Sequence, residues 1–132
     1  MITIVIDEYD AAIKHYVEDL GFTLIEDSTL TPDKRWVVVA PSDQGARILL
    51  AKAASETQKA AIGNSTGGRV GFFMYTTEFS QTYELYKSRG IRFIDEPRQE
   101  AYGRVVVFTD KYGNKWDSVS YTHLTLPTKR IV

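Results

Sequence analysis

No cysteine occurs in the 132-residue chain. That absence removes disulfides, thiolate zinc sites, iron-sulfur clusters and a cysteine nucleophile together, and it fits a reducing compartment such as the cytoplasm. Histidine is nearly as scarce, with two copies, His15 and His123. Neither sign of charge is in excess: 16 Lys plus Arg stand against 17 Asp plus Glu, a formal charge of -1, so no whole-molecule field draws the chain toward nucleic acid or anionic lipid. Long apolar runs are missing too. None approaches the roughly 20 residues that span a bilayer, and the opening MITIVIDEYD has no basic region followed by an apolar one. A soluble protein with neither a nucleic-acid nor a membrane partner is expected.

What is present suffices for a core: 43% of residues are apolar and 12% aromatic, and the length allows one domain. Tyr9, Ala12, Ile13, Tyr16, Val17 and Leu20 recur at helical spacing, and Gly21 follows as a stop signal. Phe79, Tyr83 and Tyr86 repeat the pattern, ended by Gly90. After the two glycines come GFTLIED and GIRFIDE, each a glycine, an apolar run and paired acids. Before the two helices lie ITIVI and RVGFFMYT, which read as buried strands because β-branched and aromatic residues dominate. RWVVVA and ARILLA complete the first unit, and GRVVVF and KWDSVS the second. Gly113-Asn114 between the last two predicts a hairpin closed by a two-residue primed turn.

Both halves therefore read βαβββ, over residues 2–54 and 69–120. The connecting SETQKAAIGNSTGG, residues 55–68, begins as a short helix with Ser55 as N-cap and ends as a linker; its glycines lack the Gly-Lys-Ser/Thr ending of a phosphate loop. The fold class is α+β, a duplicated unit within a single domain of residues 1–120. YTHLTLPTKRIV, residues 121–132, breaks the pattern and is read as a disordered or artefactual tail that carries no function.

Two tandem βαβββ units, with VIDEYDAAIKHYVEDLGF in the first and FTDKYGNKWDSV closing the second, resemble the vicinal oxygen chelate superfamily. Glyoxalase I, bleomycin- and fosfomycin-resistance proteins, methylmalonyl-CoA epimerase and extradiol dioxygenases belong to it. The resemblance implies a cup-shaped mixed sheet, a homodimer, and a site inside the cup. In its metal-using members four strand positions, commonly His or Gln and Glu, hold a divalent ion that chelates vicinal substrate oxygens. Asp117 stands where the last-strand Glu usually stands. The other positions fail, because ITIVI, ARILLA and RVGFFMYT offer no His or Glu. The expectation is a protein that binds a small organic molecule in the cup without a complete metal set and without a cofactor. The alternative is a metal-dependent lyase or isomerase of the lactoylglutathione lyase type using Zn, Ni, Mn or Fe. A third reading, a structural module, predicts a cup filled by side chains; whether the chain is a catalyst stays open.

Candidate ligand contacts are Asp117, Trp36, Tyr102 and Arg104, with Arg35 and Arg69 as further guanidinium groups near the aromatics. Asp117 is the sole candidate metal ligand. By alternation it shares a face with Lys115 and Val119, opposite Trp116 and Ser118. His15, off the apolar stripe of its helix, reads as a solvated surface residue. Glu26-Asp27 and Asp95-Glu96 read as solvated strand ends, because neighbours on a strand point to opposite faces.

Overall fold

The computed structural model describes residues 1–120; the reading of residues 121–132 as a dispensable tail, and His123 with it, lies outside the described residues. The chain divides into two compact units. Unit 1 comprises Met1–Gly68 together with Lys111–Asn114, and unit 2 comprises Arg69–Asp110 with the residues from Lys115 on.

Unit 1 runs β1 (Ile2–Ile6), α1 (Tyr9–Ile13), a π-helical turn (Lys14–Asp19), β2 (Thr23–Thr31), β3 (Lys34–Ala40), β4 (Ile48–Lys52) and α2 (Glu56–Ala60). Its sheet has the order β1-β4-β3-β2, with β1 parallel to β4 and the other pairs antiparallel. Unit 2 repeats the plan with β5 (Val70–Thr76), α3 (Phe79–Ser88), β6 (Arg92–Phe93), β7 (Arg98–Glu100), β8 (Gly103–Thr109) and β9 (Lys115–Ser120). Here β5 is parallel to β9, β9 pairs β8, and β8 pairs both β6 and β7. First strand parallel to last, with the helix between the first two strands, is the same topology in both, and the class is α+β. Gly21 and Gly90 end the helical segments at φ 77° and 79°, a left-handed conformation that costs a residue with a Cβ.

Local departures have physical reasons. The first helix is not one α-helix: after Ile13 it widens into the π-helical turn, in which Leu20 N–H donates to His15 O at 3.1 Å, a span of five residues. The strand expected over Gly90–Glu96 is formed only at Arg92–Phe93 (β6); after Ile94–Pro97 the chain pairs with β8 again as β7, beyond the expected segment. Across the gap Ile94 N–H donates to Val107 O, and the Asp95 carboxylate accepts from Val107 N–H at 2.9 Å, in the place of a backbone acceptor. Asp95 is thus half-buried and structural, which corrects its reading as a solvated strand end. The β8–β9 connection is a five-residue loop, since Thr109 pairs Lys115. No two-residue primed turn closes the hairpin at Gly113-Asn114, because five residues separate the paired positions; Gly113 takes positive φ and Asn114 does not. Ser55 does cap α2, accepting from Gln58 N–H at 3.2 Å.

His15 is the clearest correction. It is 6% exposed, donates through Nδ1 to Asp19 at 3.0 Å and accepts at Nε2 from Lys111 N–H at 3.0 Å. The wider π-helical turn takes it off the 3.6-residue wheel on which it falls outside the apolar stripe. Tyr112 OH donates to Asp7 at 2.9 Å beside it, and Gly63 packs against the Tyr112 carbonyl.

Candidate functional site

Each sheet has one face against its helix. In unit 2, Tyr86 of α3 meets Phe108 edge-on at 5.3 Å, and Phe108 stacks on Trp116. Trp116 Nε1–H donates to buried Asp110. Phe72, Met74, Phe108, Trp116 and Ser118 lie on this helix side because ladder partners share a face. Burial pushes the Tyr86 phenol well above its ordinary value.

Alternation then sends Asp117 to the far face. Its ladder partners there are Val107 on β8 and Phe73 on β5, with Val105, Val119 and Tyr75 one step along. Arg98 joins this face through its pairing with Val105. Asp117 is 5% exposed, and its Oδ1 is the buried side-chain polar atom left without a hydrogen-bond partner among the described residues. Burial pushes its carboxyl above the ordinary 3.8; Arg98 draws it down and Asp95 adds to the rise. Arg98 does not hydrogen-bond to it: Nη1 donates to Asp95 at 2.6 Å and Nε to Glu100 at 2.8 Å. Phe73 and Tyr75, by contrast, are 57% and 62% exposed. The arrangement is a buried acceptor without a donor, flanked by valines and bordered by two uncovered aromatic rings.

The other residues singled out from sequence are not gathered here. Arg104 is on the α3 side: its guanidinium lies 4.6 Å over the Phe79 ring and donates to Ser80 Oγ at 3.0 Å. It borders a cavity of about 610 Å³ with Gln81, Gln99 and Ser120. Tyr102 sits in the two-residue turn between β7 and β8, 52% exposed. Trp36 is in unit 1, paired with Ser28, and lines a cavity of about 640 Å³ together with Arg35, Tyr9, Leu49, Ala51 and Lys52. Arg35, on the α1 side, lies over Tyr9 and is held by Asp27 and Asp10 at 2.7 and 2.8 Å. Asp117 borders neither cavity.

The donor set does not fit a divalent metal. Asp117 contributes one carboxylate, and Asp95, the acid whose charge acts on it, is engaged by Arg98. Among the described residues no group of three or more His, Cys, Asp or Glu side chains is placed to hold an ion, whereas a catalytic centre needs about three protein ligands. Arg98, Phe73 and Tyr75 were not among the residues singled out from sequence. RVGFFMYT is apolar on both faces, so alternation alone cannot say which rings accompany Asp117. Arg98 follows the strand break, where no register is readable. No helix among the described residues is long and apolar enough to cross a membrane.

Residues 1–117 match the model of the Glyoxalase/Bleomycin resistance protein/Dioxygenase superfamily. An uncharacterized protein of Shewanella frigidimarina (strain NCIMB 400) is 46% identical over 118 residues, covering 88% of this chain and 87% of that one. The crystal structure of UcmS2 superposes with a TM-score of 0.77 at 28% identity, over 89% of this chain and 93% of that one. TnmS3, an antibiotic binding protein from Streptomyces sp. CB03234, gives a TM-score of 0.67 over 92% and 93% of the two chains. At 24% identity that likeness speaks for the fold alone.

Proposed function

This chain belongs to the Glyoxalase/Bleomycin resistance protein/Dioxygenase superfamily, and from that premise we propose that it binds a small organic molecule at the far face of its second sheet, with Asp117 as the polar contact and without a complete divalent-metal site. The observation that carries this reading is Asp117 Oδ1, buried and unpartnered. A buried acceptor without a donor costs about 1–3 kcal/mol, more when charged, and such a cost persists where a function needs the group. Phe73 and Tyr75 beside it supply flat apolar surface for a ligand to lie on. In this reading residues 1–120 work as one domain, with 55–68 as linker, and the chain acts as a cytoplasmic homodimer, in keeping with the family resemblance and the absence of cysteine. Trp36, Tyr102 and Arg104 enter it as further contacts, each to be tested by its own alanine variant.

Calorimetric titration with Ni, Zn and Mn, on the wild type and on Asp117→Ala, separates this reading from that of a metal-dependent lyase or isomerase. Binding weaker than millimolar in both proteins is the expected result. One-to-one micromolar binding that disappears in Asp117→Ala overturns it and makes the enzyme the leading reading.

A further inference from the structure

Building on that reading of the Asp117 site, we propose that its ligand is an organic amine, or another cationic hydrogen-bond donor, carried on a flat apolar body. Two carboxylates, Asp95 and Glu100, are ion-paired to one guanidinium, that of Arg98, and a third, Asp117, lies on the same face of the second sheet outside those pairs. Arg98 has spent Nη1 on Asp95 and Nε on Glu100, in contacts of 2.6 and 2.8 Å. These are short, charge-assisted bonds of the strong kind. An arriving anion would have to compete with these carboxylates for the guanidinium and would be repelled by them. An arriving cation meets Oδ1 of Asp117, the acceptor left without a donor.

The surroundings select the rest of the molecule. Phe73 stands opposite Asp117 in the parallel ladder, and Tyr75 is one step along the same face. Directly opposed side chains on neighbouring strands have Cβ atoms about 5 Å apart, so the exposed rings border the approach to the carboxylate. An aromatic ring face attracts a cation by its quadrupole and stacks on a flat apolar surface. One ligand satisfies both requirements when its ammonium meets Asp117 and its body covers Phe73 and Tyr75. The valines at 105, 107 and 119 add no polar group that would select for anything else.

Three probes sharing one ring system test this: 1-naphthylmethylamine, 1-naphthylmethanol and 1-naphthylacetate, titrated at pH 7 into the isotope-labelled full chain and followed by amide chemical shifts. The expected result is perturbation centred on β5 and β9, with the amine binding at least tenfold more tightly than the acetate and the alcohol between them. Asp117→Asn should weaken the amine about tenfold and leave the alcohol within twofold, and Phe73→Ala should weaken all three. Equal or tighter binding of the acetate, or an amine preference that survives Asp117→Asn, overturns the cation assignment while the binding site stands. If no probe perturbs β5 and β9 up to its solubility limit, the cation assignment and the reading on which it rests both fall.

Discussion

Replacing Asp117 by Asn should stabilise the protein at neutral pH. The wild-type carboxylate is 5% exposed, with Oδ1 unpartnered and Arg98 committed to two other acids. The unfolded chain hydrates the same group fully. Burial therefore raises the folded-state pKa above the ordinary 3.8. For a carboxyl shifted upward, the folded state binds the proton more tightly, so stability is complete below the unfolded value and declines as pH rises through the folded value. The wild type therefore carries the penalty increasingly as pH rises above the ordinary value. An unsatisfied buried group costs about 1–3 kcal/mol; Asn removes the charge but keeps a polar amide, so the lower end, about 1 kcal/mol, is the expected gain. For a chain of this length that corresponds to about 3–6 °C in melting temperature. The assay is thermal unfolding of both proteins from pH 3 to pH 8. The difference should be largest at pH 7–8 and shrink as pH falls through the raised folded-state value toward and below the ordinary 3.8. A variant less stable than wild type at pH 7, or a gain independent of pH, would refute the reasoning, because it would mean that the carboxylate has a partner in the folded protein.

His15→Ala should destabilise unit 1 by about 2–4 kcal/mol in urea unfolding, since it strands the Lys111 N–H and leaves a void beside Tyr16. Faster hydrogen exchange at Lys111 should accompany it, and unchanged exchange there would refute the assigned bond. Gly63→Ala should cost more than Gly67→Ala, although both glycines have positive φ, 73° and 68°. A Cβ at Gly63 would fall on the Tyr112 carbonyl oxygen, whereas at Gly67 it meets nothing within 4 Å. The expected costs are about 1 kcal/mol for Gly67→Ala, from backbone strain alone, and at least twice that for Gly63→Ala; equal losses would show that the loop carrying Tyr112 yields freely.

The parts of this fold that sequence could reach are those governed by local chemistry. Gly21 and Gly90 mark chain reversals that need positive φ, and β1, β3 and β8 carry the β-branched runs that favour strands. What escaped depends on partners distant in sequence. His15 looks solvated on a 3.6-residue wheel, yet the π-helical turn aims it at Lys111, 96 residues away. The break at Ile94–Pro97 is tolerated because Asp95 takes over a ladder bond from Val107, a substitution that no periodicity encodes. The site divides the same way. Alternation placed Asp117 opposite Trp116, and the ladder with Val107 and Phe108 agrees. Phe73 and Tyr75 could be assigned to that face only once β5 was registered against β9. Whether a carboxylate lacks a partner is a property of everything around it: the same Asp with Arg98 free to turn would be an ordinary ion pair. Arg98 is held by Asp95 and Glu100, and Asp95 is itself fixed by the strand break. The irregularity that interrupts the strand expected over Gly90–Glu96 thus also brings to Arg98 an acid that engages it in place of Asp117.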